Sequence, residues 1–402
     1  MSEVMDRRGR CSFRGLGLVY LLGLSAIVCA GAWWLGAPWA APSGDAADGW
    51  ERAFASVSAA CGSGMAWRDP ATRWTPAGCW LLMAIGQAGW LWTVGCGAAM
   101  LGSILGRGAW RTAALALAWC VGLQAVLAVA AWDAWRDAAL AMMGLGWSMG
   151  SGEAGGGVMY GVMLPAGLLG SLAGGWWLWA ARGAVTWRSY ARVAVGLTAG
   201  VFVAGALAVG LAEGVPAWFG ALGMGQTAGR VAATGDAWEA LASGGTATID
   251  AMGAGRGAVP PGELTAGGRW ALLVVMVLGG AVLGGGGGLP VLAWLAWGSA
   301  WGRWGRWGRP MRRIGVTMML GLGGWVFAAV WAMLLVEPFG LGVLLFDVVS
   351  ATTLTGWTVG VPGELTAWGQ GVLLASMVFG RVWPMVAIAA WGRMCDTAAR
   401  EP

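Results

Sequence analysis

Ser58-Ala59-Ala60-Cys61-Gly62-Ser63-Gly64 and Ser350-Ala351-Thr352-Thr353-Leu354-Thr355-Gly356 are two copies of one pattern. Each sets a Ser six positions ahead of a Gly, and each lies between two longer, more apolar stretches. Met142-Met143-Gly144-Leu145-Gly146 is a weaker copy, and Ser243-Gly244-Gly245-Thr246-Ala247-Thr248 is the most worn. A helix–loop–helix unit used four times, with loops rich in Gly and hydroxyls, can surround one axis with four sets of backbone carbonyls. That is the chemistry of an ion pore.

The flanking stretches set the fold class. Of 402 residues, 58% are hydrophobic and 11% charged, whereas a soluble domain carries about a quarter charged residues. Apolar stretches run at about 16–36, 76–102, 111–132, 157–182, 188–213, 268–300, 314–336 and 366–393. Each is long enough to cross ~30 Å of hydrocarbon. The expectation is an all-α integral membrane protein: eight spanning helices plus four re-entrant pore half-helices around a central pathway. The whole chain reads as one transmembrane domain, with repeats at about 15–105, 106–185, 186–302 and 303–395. The first apolar run follows Arg7, Arg8, Arg10 and Arg14 and imitates a signal peptide. It is long for one, and reads as a retained first helix.

Composition also excludes chemistry. The chain has no His, and all its basic residues are Arg. A His ligand, a His base and a Lys Schiff base are therefore ruled out. The cysteines at 11, 29, 61, 79, 96, 120 and 395 show no CxxC spacing, so neither a zinc site nor a disulfide framework is expected. A membrane enzyme needs a polar cluster within its spans; only Arg381 and scattered hydroxyls lie there. We expect no catalysis and no cofactor.

Sixteen of the 24 arginines fall in alternate connections. By the positive-inside rule those connections and both termini are cytoplasmic, in a multi-pass cell (inner or plasma) membrane protein. Fifteen of the 19 acids fall on the opposite side, with the four motif loops. A negative outer mouth concentrates cations; the same excess is also what surface charge leaves behind once Arg is sorted inward. Trp is placed at span ends, as at Trp33/Trp34 and Trp90/Trp92, and reads as an interfacial belt. The Trp-Gly-Arg run at 301–309 reads as a basic membrane edge rather than a nucleic-acid surface.

Each loop follows a short segment suited to a half-helix: 49–60, 134–143, 236–245 and 341–351. Carboxylates at or near their starts (Asp48 and Glu51, Asp133 and Asp137, Asp236 and Glu239, Asp347) suit helix N-termini. The partly negative C-termini then point into the membrane, and Gly at the turn accepts positive φ.

These motifs resemble the Trk/Ktr/HKT superfamily of potassium transporters, in the layout of the Ktr and Trk membrane subunits. The resemblance rests on Phe54 to Met65 with Asp69, Thr75-Pro76-Ala77-Gly78 and Gln87-Ala88-Gly89; on Met276 to Gly288; and on Leu345 to Gly356 with Met377-Val378-Phe379-Gly380-Arg381-Val382-Trp383-Pro384. It covers roughly residues 15–395. It implies potassium as the transported ion, bound only at the filter, with filter residues Cys61, Gly62, Ser63, Gly64, Gly144, Leu145, Gly146, Thr246, Ala247, Thr248, Leu354, Thr355 and Gly356. Besides the lipid bilayer, it implies a homodimer and a cytoplasmic nucleotide-binding regulatory ring as partners.

Five consecutive glycines, Gly284, Gly285, Gly286, Gly287 and Gly288, cannot favour a continuous helix, since each costs ~1 kcal/mol against Ala. Unwound backbone at membrane depth must be buried or line water. The segment is expected to be an intramembrane gate; a kink without a gating role is the alternative. Arg381, mid-span, must face protein. It is expected near the pathway, bonded to the 284–288 segment or the fourth pore loop, or else paired away from the pore. Two departures from the family stand out: Thr248 where the family has Gly, and Pro290 where it has Lys. They leave open a non-conducting regulatory or scaffold relative, or a sodium-permeable variant.

Overall fold

The computed structural model describes residues 13–42, 47–104, 108–130, 199–214, 237–252, 260–283 and 308–398, together with residues 136, 139, 140, 143, 145 and 196. No strand occurs among the described residues. The chain is an all-α membrane protein. Its elements are α1 (Phe13–Trp34), α2 (Gly49–Cys61), the short α3 (Pro70–Arg73), α4 (Pro76–Ile104), α5 (Ala109–Ala130), α6 (Ala199–Gly214), α7 (Ala237–Ala251), α8 (Ala266–Leu283), α9 (Gly308–Leu334), α10 (Leu341–Thr353) and α11 (Ala367–Ala398). The expected span at 157–182 and the gate glycines 284–288 lie outside the described residues.

Helix length separates two classes. Stretches within α1, α4, α5, α9 and α11 are long and apolar enough to cross a membrane. In contrast, α2 and α10 have 13 residues each and α7 has 15. At 1.5 Å per residue they reach only about 20 Å, short of the hydrocarbon thickness. They stand between other helices of the chain: α1–α2–α4 form the first repeat, α6–α7–α8 the third and α9–α10–α11 the fourth.

Packing shows the repeat more clearly than sequence does. In the first repeat, the Trp92 indole fills the place of a side chain at Gly23 and donates to the Tyr20 carbonyl at 3.0 Å. In the fourth, Trp383 does the same at Gly321 and donates to the Met318 carbonyl at 3.3 Å. Helices in lipid associate through close van der Waals contact rather than through escape from water, so a large ring seated on a glycine is a strong contact there. Trp90 and Trp92 are therefore not the interfacial tryptophans that their position suggests. Trp90 is fully buried, while Trp33 and Trp34 are exposed. Leu16, Tyr20 and Leu24 of α1 are buried in the first-repeat core, so this helix belongs to the bundle. A reciprocal amide pair, Gln87 with Gln124 at 2.8 and 3.0 Å, joins α4 to α5.

The second long helix of each described repeat starts on one device. Thr75, Thr265 and Thr366 accept with their hydroxyls from the N–H of Gly78, Gly268 and Gly369 at 3.1, 3.1 and 3.4 Å. Each hydroxyl in turn donates: Thr75 to the Ala40 carbonyl, Thr265 to Glu213 at 2.7 Å, and Thr366 to Glu337 at 2.5 Å. The Thr366 and Gly369 N–H groups also donate to Glu337. Glu337 thus satisfies amides that a helix start leaves without partners. Glu337→Ala should lower stability by about 1–2 kcal/mol. This is measurable as a lower thermal unfolding midpoint in detergent; an unchanged midpoint would assign the cap no weight.

This finding bears on the acidic outer side. Asp48 caps α2 and Asp69 caps α3. Glu51 holds Arg73 at 2.6 and 2.7 Å, and Glu213 and Glu337 hold helix starts. The acids described are mostly engaged in structure, which favours the plainer of the two charge readings.

Candidate functional site

The half-helices end in one turn. In the first repeat α2 closes with Gly62 in the left-handed region (φ 69°, ψ 32°). Its N–H donates to the Ala59 carbonyl at 3.0 Å, and the Ser63 N–H donates to the Ser58 carbonyl at 2.9 Å. In the fourth, Leu354 takes the same place (φ 59°, ψ 31°). Its N–H reaches the Ala351 carbonyl at 3.3 Å, and the Thr355 N–H reaches the Ser350 carbonyl at 3.0 Å. The bond that runs back five residues to the Ser position is the usual satisfaction of a helix's last carbonyls. The second repeat keeps it: the Leu145 N–H donates to the Leu140 carbonyl at 2.9 Å. Two residues beyond the cap, Gly64 and Gly356 are again left-handed, at φ 74° and 73°.

These turns meet. A side chain at Gly62 would begin 2.7 Å from the Met143 carbonyl oxygen, and one at Gly64 would begin 2.8 Å from the Leu145 carbonyl oxygen. A side chain at Gly356 would run into the Ser63 carbonyl. The first loop is thus in backbone contact with the second and with the fourth. Trp357, next to Gly356, shares a buried cluster with Ile249, Ala251 and Met252 of the third repeat. From behind, α4 and α11 close on α2 and α10 at matching points, Gly89 on the Ala60 carbonyl and Gly380 on the Thr352 carbonyl.

The loops are largely buried, with Gly64 and Gly356 half-buried. Cys61 and Ser63 are inaccessible, and so are Leu145 and Met143. In the fourth loop the Ser350 and Thr355 hydroxyls bond each other at 2.9 Å. At the matching positions of the first loop, the Ser58 and Ser63 hydroxyls have no partner among the described residues. Gly144 and Gly146 lie outside the described residues.

The third repeat corrects the sequence reading. Thr246, Ala247 and Thr248 are not a turn after a half-helix ending at 245. They lie inside α7, which runs on to Ala251. The Thr248 hydroxyl bonds the Gly244 carbonyl at 2.7 Å, within the helix. The glycine that suggests a turn, Gly244, instead lets α7 approach Ala206 and Gly210 of α6. The cap is Met252, whose N–H reaches the Ile249 carbonyl at 3.2 Å, as Gly62 reaches Ala59 and Leu354 reaches Ala351. Thr248 therefore corresponds to Ser58 and Ser350.

Asp347 is also displaced from its expected role. It sits in the middle of α10, 1% exposed, rather than at its start, where the N-cap is Gly340, with no side-chain cap. Arg381 is 2% exposed. One of its terminal nitrogens lies 3.9 Å from where a side chain at Gly62 would begin, so the guanidinium reaches the first loop. Tyr20 donates to the Arg381 carbonyl at 3.4 Å and holds that turn of α11. The 284–288 segment lies outside the described residues.

No protein-family model matches the sequence, and no curated protein matches it. Among solved structures, the chain is similar to the crystal structure of the potassium transporter TrkH from Vibrio parahaemolyticus. The TM-score is 0.62 at 15% identity, and the match covers 97% of this chain and 85% of that one. Two long helices around a half-helix, used repeatedly, with half-helix ends meeting at glycine turns, are the fold that this chain shares with that transporter.

Proposed function

We propose that the chain is a potassium uptake subunit of the inner or plasma membrane. It conducts through a filter of backbone carbonyls contributed by four repeats. The observation that supports this most is the mutual contact of the first, second and fourth loops at Gly62, Gly64 and Gly356. Carbonyl oxygens clustered at the negative ends of half-helices replace the hydration shell of a monovalent cation. The structural neighbour is a potassium transporter, which agrees with that chemistry. The driving force is the membrane potential, ~2.3 kcal/mol per charge per 100 mV.

The filter comprises Cys61 to Gly64, Gly144 to Gly146 and Leu354 to Gly356, with the third segment moved. By the register of the caps, Met252-Gly253-Ala254 in the sequence corresponds to Leu354-Thr355-Gly356, in place of Thr246-Thr248. Thr248 then lies outside the filter, and Ala254 stands at the position of Gly64 and Gly356. Gly284 to Gly288 form the gate, and Arg381 beside the first loop limits cation occupancy. The remaining partners are a second copy of the chain and a nucleotide-binding ring on the cytoplasmic side, where both termini lie. The chain performs no bond-making reaction.

Expression in a bacterium lacking potassium uptake tests this. Growth at low external potassium, together with rubidium flux into liposomes under an imposed potential, is expected. Purified protein that carries no rubidium would overturn the reading. Equal sodium and rubidium flux would replace it with a sodium-permeable variant.

A further inference from the structure

The fourth loop is held by a device that the first loop lacks at that position. Asp347, buried mid-way along α10, accepts from the Thr358 hydroxyl at 3.0 Å to each carboxyl oxygen and from the Val359 N–H at 3.1 Å. The Thr358 oxygen in turn accepts from the Gly360 N–H at 3.1 Å. Three successive residues just past Gly356 and Trp357 are thereby tied to one carboxyl group. Trp357 itself packs on Phe346, with ring centroids 6.4 Å apart. On the other side of the turn stands the Ser350–Thr355 hydroxyl pair. Leu354 to Gly356 is thus pinned at both ends.

The first repeat has Ala55 at the position of Asp347. It ties its half-helix to the outgoing chain elsewhere: Glu51, near the start of α2, holds Arg73 with two bonds, and Phe54 packs on Trp67 at 5.3 Å. The same mechanical task is met near the outer end in one repeat and directly behind the turn in the other. A buried carboxyl group without such donors is costly, so burial and donors support each other.

We propose that Asp347 is a positioning residue for ion selection: through Thr358 and Val359 it fixes the outgoing arm of the fourth loop and so the placing of the Leu354–Gly356 carbonyls. It touches no ion itself. The inference rests on the transport reading above for its consequence, but not for its geometry. Discrimination by a carbonyl ring depends on the number and placing of the oxygens it presents to the ion. Loosening one of four arms should lower selectivity before it lowers folding.

The test compares the full-length wild-type chain with Asp347→Asn, Thr358→Val and the double variant, using two readouts. In hydrogen–deuterium exchange in detergent, Asp347→Asn should speed exchange at residues 357–360 by about tenfold or more, with α2 and its loop unchanged. In liposomes, the rubidium-to-sodium flux ratio should fall by about tenfold, and the double variant should be no worse than Asp347→Asn alone. Asp347→Glu should restore part of the ratio. Unchanged exchange at 357–360 overturns the strap. Faster exchange with an unchanged flux ratio overturns its role in selection. A wild-type chain that carries no cation defeats the transport reading and the selection role with it, while exchange still decides the strap.

Discussion

Gly356→Ala should abolish cation flux while leaving most of the protein folded. Residue 356 has φ 73°, and an alanine there costs about 1–2 kcal/mol for the left-handed backbone. That cost alone is tolerable in this protein, because Leu354 already occupies the same region two residues earlier. What forbids a side chain at 356 is the Ser63 carbonyl of the first repeat, which occupies its place. Neither partner can yield by rotating a side chain, since both are backbone. The methyl group must push the first and fourth loops apart, and a shift of about 1 Å in a catalytic or binding constellation is enough to lose two orders of magnitude. Rubidium flux should drop by about a hundredfold or more, with the protein still extracted from membranes in normal amount. Flux within threefold of wild type would show that the Gly356–Ser63 contact lies away from the path of the ion.

The two best-preserved motifs are legible because sequence and backbone agree there. Ser58 to Gly64 and Ser350 to Gly356 are turns with the same caps and the same left-handed glycines. The third motif is misplaced by a sequence reading because glycine serves two purposes in a membrane helix. Gly244 reads as turn chemistry, but it serves close packing of α7 on α6, a use that local sequence does not distinguish. The chain contains a better ruler. Thr75-x-x-Gly78, Thr265-x-x-Gly268 and Thr366-x-x-Gly369 start the second helix of three repeats. Counting back the ten or eleven residues that separate Thr366 from Gly356 and Thr75 from Gly64 leads from Thr265 to Ala254 or Gly255, not to Thr248. The acidic outer side misleads for a related reason. Composition reports how many carboxylates face outward, but not that Glu213 and Glu337 are turned onto helix starts and Asp347 onto its own loop. The contact between Arg381 and the first loop crosses more than three hundred residues of chain, and nothing local to either segment encodes it.

Arg381→Gln should raise unregulated cation flux. The guanidinium of Arg381 is buried within 4 Å of the side-chain position at Gly62, where α2 ends and the Met143 carbonyl approaches. The C-terminal end of a helix carries about half a negative charge and favours cations. The field that would hold a desolvated potassium ion therefore also holds this arginine, and the two compete. At a separation of roughly 6 Å and an effective dielectric constant of about 20, two unit charges repel by about 3 kcal/mol, or about a hundredfold in occupancy. Glutamine keeps hydrogen-bonding capacity and much of the volume while removing the charge. Basal rubidium flux should rise by about tenfold or more, and half-saturation should move to lower rubidium. Arg381→Lys, which keeps the charge but loses the planar fork, should stay near wild type in basal flux. If Arg381→Gln and wild type show the same flux kinetics at equal protein level, the arginine is a structural pair away from the pathway. The charge at the first loop would then be a means of packing α11 on α2, and the gate would have to be sought in other residues.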